Sequence, residues 1–236
     1  NKKTEEIPSA LTADWNTSKK ILILTGTLDP NPELEALLSQ LVKNHSVVVL
    51  TEVNSNLHHE KFFGHIDRYL YNFSQEDFKK YAPDLLITVG QNVVSKKVKE
   101  FLRKAQPTSH WHIDSHWHPD TYFSLTQKIE MKPEVFFSKL LKNILLEPQA
   151  YYNLWDNLRN KTIPKHDEYV NKVIFSDFKI YDMLSHKIPE NYNIHFSNSS
   201  AIRYAQLFDF KKSNKIHCNR GTSGIDGCTS TAMGFA

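Results

Sequence analysis

Glycine is scarce in this chain, with seven residues in 236, and only Gly26, Gly64 and Gly90 come before Gly221. The turn Gly26-Thr-Leu-Asp-Pro30 therefore lacks the glycines that let a backbone close on a dinucleotide pyrophosphate, and no working nicotinamide or flavin site is expected there. Cysteine is equally sparse. Cys218 and Cys228 stand ten apart and form neither a CxxC pair nor a disulfide framework, so the default setting is reducing and cytoplasmic. No apolar run approaches the roughly 18 residues of a membrane span, and no signal-peptide pattern is visible, although a start without Met leaves targeting open. The charge excess is small, +3 from 29 Lys and Arg against 26 Asp and Glu. Lys19-Lys20, Lys79-Lys80, Lys96-Lys97 and Lys211-Lys212 lie in separate segments rather than along one stripe, so small anionic ligands are expected and nucleic acid is not.

The apolar runs that are present read as an α/β chain. Ile21-Leu-Ile-Leu-Thr25 before Gly26, Ser46-Val-Val-Val-Leu-Thr51, Asp84-Leu-Leu-Ile-Thr-Val-Gly90 and Trp111-His-Ile-Asp114 are short strands. Between them, Leu34, Leu38, Leu41 and Val42, then Val94, Val98, Phe101 and Leu102, fall at helical spacing. The alternation predicts a Rossmann-like parallel sheet with helices on both faces. Its ligand-facing rim would be Gly26-Thr27, Thr51-Glu52, Gly90-Gln91 and Asp114-Ser115. Residues 126–190 read as mostly helical, with stripes at Val135, Phe136, Leu140, Leu141 and Ile144, at Tyr151, Leu154 and Leu158, and at Val173, Ile174, Phe178, Tyr181 and Leu184. A second α/β series opens near Ile194, with Lys215-Ile-His-Cys218 as its next strand. Expected domains are 1–165 and 166–236, the boundary falling within about 145–190. Two strands alone leave an open edge, for which a partner such as another copy is expected.

Four of the seven glycines lie in the last sixteen residues, beginning in Asn219-Arg-Gly-Thr-Ser-Gly-Ile-Asp-Gly-Cys228. Glycine admits positive φ and close approach of a ligand, and Arg220 adds a planar donor fork suited to a carboxylate or phosphate. Phe196-Ser-Asn-Ser-Ser-Ala-Ile-Arg203 closes a strand and opens a helix, where free N–H groups favour anions. Arg203 follows Ser199 by one helical turn, so hydroxyl and guanidinium can face one ligand. Two arginines and a serine at adjacent strand ends suit a di- or tricarboxylate. From Asp226 a last helix is expected to open on an acidic cap. With no Met before Asn1 and no stop signal after Ala236, the chain reads as a piece of a longer polypeptide.

Ser-Asn-Ser-x-x-x-Arg over 197–203, followed by Asn-Arg-Gly-x-Ser-Gly-Ile-Asp-Gly over 219–227, resembles the 2-succinyl-5-enolpyruvyl-6-hydroxy-3-cyclohexene-1-carboxylate synthase family, thiamine-diphosphate enzymes of menaquinone biosynthesis. Leu86-Ile-Thr-Val-Gly90 leading to Ser95-Lys96-Lys97, and Trp111-His-Ile-Asp114, are similar to that family's middle domain in order and spacing. The resemblance implies a middle Rossmann-like domain that has lost nucleotide binding, followed by the opening of a pyrophosphate-binding domain. It implies decarboxylation of 2-oxoglutarate on thiamine diphosphate and transfer of the succinyl semialdehyde unit to isochorismate, with Mg²⁺ or Mn²⁺ anchoring the diphosphate, in a homodimer or homotetramer. Ser199, Arg203 and Arg220 would contact carboxylates, and Ile225 would wedge beneath the cofactor. Lys96 and Lys97 would stand where the family has a Lys-Arg pair, Lys97 lacking the planar fork. No catalytic acid or base falls in these residues. The activating glutamate and the metal motif belong to other parts of such an enzyme, so this fragment alone is expected to be inactive and to hold no cofactor or metal.

Plainer readings stand beside these. Ser199 can be an N-cap, Ile225 core, Arg220 a structural contact and Lys96-Lys97 a solvated face. Histidines 110, 112, 116 and 118 alternate along a strand and its loop, but three converging ligands are not visible, and strand-and-loop is preferred to zinc. The rival to an enzyme is a non-catalytic anion-binding or regulatory α/β module. An acetolactate synthase relative would carry nucleotide-binding signals that are absent here.

Overall fold

The computed structural model describes residues 6–43, 47–148 and 150–236. Strands β1 (Ile21–Thr25), β2 (Val48–Thr51), β3 (Leu85–Val89), β4 (Ser109–Asp114) and β5 (Gln127–Glu130) form one parallel sheet in the order β2-β1-β3-β4-β5. β1 and β3 are buried at every residue, as a strand covered on both faces must be. Ser46 of the expected second strand lies outside the described residues, and Val47 precedes β2. β4 begins two residues earlier than expected, at Ser109. β5 corrects the all-helical reading of 126–190: Gln127-Lys-Ile-Glu130 buries only Ile129, so the segment carries no apolar run, and its polar side chains suit an outermost strand.

Seven helices cover this sheet: α1 (Ser9–Thr17), α2 (Pro32–Val42), α3 (Ile66–Leu70), α4 (Gln75–Lys80), α5 (Lys96–Ala105), α6 (Pro133–Leu140) and the long α7 (Ala150–Lys172). Ile21, Ile23, Val49, Ile87 and Trp111 face α1, α2 and α6 through Trp15, Leu38 and Phe136. The opposite face, from Leu22, Leu24, Val48 and Leu86, packs on α3, α4, α5 and Trp155 of α7. Asn31 caps α2, its side chain accepting from the Leu34 N–H at 2.9 Å, and Pro32 supplies the preset first helical φ. Val135 is exposed and α6 ends at Leu140, so Leu141 and Ile144 pack from the following turns.

In this strand order the switch point lies between β1 and β3, the place where open α/β sheets bind ligands. Here the two loops fill it. A Cβ on Gly26 would lie 2.0 Å from the Gln91 carbonyl oxygen, and Gly90 has φ +78 against Leu28. Gln91 N–H donates to Thr27 O and the Thr27 hydroxyl to Asn92 O, both at 2.9 Å. The β1–β3 crevice is thus occupied by the protein's own backbone, alongside the missing glycine pattern.

The remainder comprises α8 (Asp177–Lys187), β6 (Asn193–Phe196), α9 (Ser200–Ala205), β7 (Lys215–Cys218) and α10 (Cys228–Phe235), with β6 and β7 parallel. Val173 and Ile174 lie between α7 and α8, not in a helix, and Ile174 is 83% exposed. Phe196, Ile202, Phe208 and Ile216 form a separate core with Val170 of α7 and with Val94. Val94, expected in α5, instead precedes it and joins this second cluster. α7 thus runs through both cores, with Pro164 between its two packed stretches. Two asparagines and a glutamine lock the parts together. The Asn56 carboxamide accepts from Ile216 N–H at 2.7 Å and donates to its carbonyl at 3.0 Å, which stands in for a neighbouring strand. Gln206 accepts from Val53 N–H and donates to Asn54, each at 2.9 Å.

Candidate functional site

The end of β6, the turn after it and the loop from Asn219 to Gly227 form one surface, against which the first sheet presents residues 92–97. Asn198 lies beneath this surface, 4% exposed. Its carboxamide donates to Asn219 O at 2.7 Å and Gly224 O at 2.6 Å, while its oxygen accepts from the Cys218 thiol at 3.2 Å. From the first sheet, Asn92 donates to the carbonyls of Arg220 at 2.9 Å and Gly221 at 3.4 Å.

Arg220 is half-buried, and its guanidinium is only loosely engaged. Nη1 is 3.4 Å from Asn198 Oδ1, Nη2 is 3.4 Å from Val93 O, and the buried Nε has no acceptor. A buried cationic donor without its full set of partners is costly unless something supplies the acceptor. Ser199, beside it, adopts φ 68 and ψ −127, a conformation disfavoured for a side chain with a Cβ. It occupies the N-cap position of α9 but makes no capping bond there, so its hydroxyl is left for another partner. Ile225 is 72% exposed, which overturns the core reading of that residue. α10 starts at Cys228 behind Gly227 at φ 77, not on an Asp226 cap: the positive φ needed to close the loop falls on glycine, and no side chain caps the helix.

Arg203 is exposed on α9, and among the described residues no hydrogen bond or ion pair links it directly to Ser199. Its charge acts instead on Asp67 of α3, together with that of Lys97. Burial pushes the Asp67 carboxyl up, opposed by the Ser95 hydroxyl that donates to it and by those two cations. Lys97 lies 3.9 Å from Glu100 and over the Tyr71 ring, and Lys96 is exposed at the start of α5. Arg220 and Ile225 thus lie on the glycine loop and Ser199 on the turn after β6, while Lys97 and Arg203 act on Asp67 and Lys96 stays exposed at the start of α5.

Near these residues stand Glu52 and Lys99, for which the sequence analysis gave no role. Glu52, at the rim position after β2, is 3% exposed and accepts from the N–H groups of Val94 at 2.6 Å and Ser95 at 2.7 Å. Burial raises its pKa from 4.5 to about 7 against those two bonds. Its carboxylate therefore fills the anion position at the start of α5 from within. Lys99, one turn past Ser95, is held below its ordinary pKa by burial and by the nearby Arg220, with Glu52 opposing. The signal for Glu52 was its place on the rim; Lys99 had none beyond i+4 spacing from Ser95.

Two other features carry less. A cavity of about 500 Å³ is lined by His65, Arg68, Arg159, Asp209 and Lys212, among others, and three of its basic side chains are already engaged. Arg68 donates to Leu207 O, Arg159 pairs with Asp156, and His65 lies between Gln206 O and Asp209. His110 and His112 are buried on β4 and share the Thr88 hydroxyl at 2.9 and 2.7 Å. Burial lowers each to about 4, so both are neutral. Among the described residues no three His, Cys, Asp or Glu side chains converge as metal ligands. Among them, too, no helix is long and apolar enough to cross a membrane.

The family model described as "Middle domain of thiamine pyrophosphate" matches residues 1–168, the parallel-sheet domain and most of α7. The class is that of thiamine-dependent enzymes. The chain is 44% identical over 94% of its length to a 2-succinyl-5-enolpyruvyl-6-hydroxy-3-cyclohexene-1-carboxylate synthase of Flavobacterium johnsoniae and 34% identical to the synthase of that name from Bacteroides thetaiotaomicron, again over 94%. It belongs to that synthase family. The chain spans 40% and 39% of those two relatives. A solved structure from Mycobacterium smegmatis, assigned to the thiamin diphosphate-dependent enzymes, shares the fold at a TM-score of 0.55 and 12% identity, over 97% of this chain and 44% of that one.

Proposed function

We propose that this chain supplies the middle domain, 1–165, and the opening of the pyrophosphate-binding domain, 166–236, to an enzyme that decarboxylates 2-oxoglutarate on thiamine diphosphate and transfers the succinyl semialdehyde unit to isochorismate. The observation that carries the reading is the Arg220 guanidinium: half-buried, held by two 3.4 Å contacts, and with a buried Nε lacking an acceptor. A substrate carboxylate would complete that fork bidentately, with the free Ser199 hydroxyl beside it. Arg203, Lys96 and Lys97 add positive potential that draws dianionic substrates to the rim.

Ile225, apolar and exposed on the same loop, fits a cofactor ring laid against it, as does a backbone loop with few side chains above it. Thiamine diphosphate would supply the electron sink for decarboxylation. The residues of this chain bind and orient carboxylates, and proton transfer is assigned to other parts of the enzyme. No ligand for Mg²⁺ or Mn²⁺ is assigned within it. A cytoplasmic homodimer or homotetramer, with the catalytic glutamate and metal ligands in other parts of the enzyme, completes the proposal, and the chain alone should not turn over.

The test is Arg220→Ala in the whole enzyme. Loss of a charge-assisted bidentate contact is expected to lower kcat/KM for 2-oxoglutarate by about 10²-fold or more. A change within twofold would remove the loop from the substrate site. Dicarboxylate binding without any turnover by the whole protein would favour an anion-binding module instead.

A further inference from the structure

We propose that Asn198 is a positioning residue: its carboxamide sets the course of the 219–224 loop and so fixes where the Arg220 guanidinium is presented. The inference rests on the reading of Arg220 as a carboxylate ligand.

Besides Asn198, the loop is held by the Asn92 amide at the Arg220 and Gly221 carbonyls and by Asn219 on the Thr231 hydroxyl, and no side chain packs closely against its glycines. A Cβ on Gly221 would meet nothing within 4 Å, one on Gly224 would meet only Thr222 Oγ1 at 3.8 Å, and Ser223 has φ 58. No packed side chain defines its path. The Asn198 amide group does, because its two N–H groups reach the carbonyls at opposite ends, Asn219 at 2.7 Å and Gly224 at 2.6 Å. Its oxygen faces inward to Cys218 Sγ and Arg220 Nη1. One planar group thus spans the six residues from Asn219 to Gly224 and touches the guanidinium.

Asparagine is the side chain this geometry requires. Aspartate has the same shape but no N–H, and would set a carboxylate oxygen against two carbonyls at about hydrogen-bond distance. Alanine leaves both carbonyls and the thiol without their partner. The strained Ser199 follows directly, and the buried bonds of Asn198 hold it in register.

The experiment is a double-mutant cycle in the whole enzyme, with Asn198→Ala, Arg220→Ala and the pair, followed by kcat and KM for 2-oxoglutarate, thermal midpoint and thiamine diphosphate affinity. Asn198→Ala is expected to lower kcat/KM by about 10- to 100-fold, the effect of displacing a substrate-positioning group by about 1 Å. In the Arg220→Ala background the same change should matter less than about twofold, because the group it positions is gone. A purely structural role would lower the thermal midpoint and give the same factor in both backgrounds, which overturns the proposal, as does an Asn198→Ala enzyme within twofold of the parent. If Arg220→Ala itself is silent while Asn198→Ala is not, the carboxylate reading of Arg220 is what fails, and the positioning role falls with it. Should Asn198→Ala not fold, Asn198→Ser keeps a short polar group in the same space and carries the same comparison.

Discussion

Replacing Gly26 by alanine tests the closed crevice between β1 and β3. The added Cβ would lie 2.0 Å from Gln91 O and 3.0 Å from its carbonyl carbon. Ordinary contact begins near 3.4 Å, so the 90–92 backbone must retreat by about 1 Å or more. That backbone is bonded through Gln91 N–H to Thr27 O and through Asn92 O to the Thr27 hydroxyl, while Gly26 N–H donates to Val89 O, each at 2.9 Å. Losing two of these at about 1 kcal/mol each, with overpacking added, predicts a destabilisation of about 3 kcal/mol. Urea unfolding of the two proteins reads it as a lower midpoint at unchanged slope. Gly64→Ala is the control, since its Cβ would meet nothing nearer than Thr51 Oγ1 at 3.8 Å. It should be neutral or stabilising by up to about 1 kcal/mol. A Gly26→Ala loss below about 1 kcal/mol, or one equal to that of Gly64→Ala, refutes the argument. Because Asn92 follows Gln91 and holds the Arg220 and Gly221 carbonyls, the same substitution should also raise KM in the whole enzyme.

Glu52 carries a folded pKa near 7 against an ordinary 4.5, so the folded state holds its proton longer; the contribution to stability is full below about pH 4.5 and lost as pH rises through about 7, by roughly 3 kcal/mol. Glu52→Gln should flatten that limb of the pH–stability curve, and an unchanged limb would refute the assignment. His110 and His112 act in the opposite sense: lowered from 6.5 to about 4, they contribute stability that is present above about 6.5 and lost as pH falls through about 4. Thr88→Val removes the hydroxyl both rings share and should cost about 1–3 kcal/mol by urea unfolding. Asn56→Ala leaves the Ile216 N–H and carbonyl unpaired, and amide exchange at Ile216 should accelerate at least about tenfold while that of Ile23 does not change.

The first sheet was legible because burial on both faces leaves a continuous apolar run, and Ile21-Leu-Ile-Leu and Leu85-Leu-Ile-Thr-Val have no other use. β5 was not, because an edge strand needs only one inward residue, and Ile129 alone makes no pattern. Val94 fits the helical spacing of Val98 and Phe101 yet belongs to the other core, since periodicity reports a face and not which neighbour covers it. At the candidate site the glycine cluster and Arg220 were visible as residue types. The electrostatic effect of Arg203 on Asp67 was not, because the two lie 136 residues apart in the chain. Glu52 and Asn198 show the same limit, both acting through backbone groups that sequence cannot locate.

The closed crevice and the glycine loop belong to one argument. An open α/β sheet ordinarily leaves three groups free at its rim: the switch-point crevice, the helix N-terminus after the adjoining strand, and the loops between them. Here Gly26 and Gln91 occupy the first, and the Glu52 side chain accepts from the N–H groups of Val94 and Ser95 just before α5. What is left at that rim faces the second unit. Asn92 holds the Arg220 carbonyl, Val93 O faces its guanidinium, and Lys99 adds charge beside it. The same backbone segment, 90–95, therefore packs both against the turn after β1 and against the loop that carries Arg220. The packing that fills the crevice and the bonds that hold the Arg220 loop share the 90–95 segment, and a substitution that reopened the crevice would be expected to loosen that loop as well.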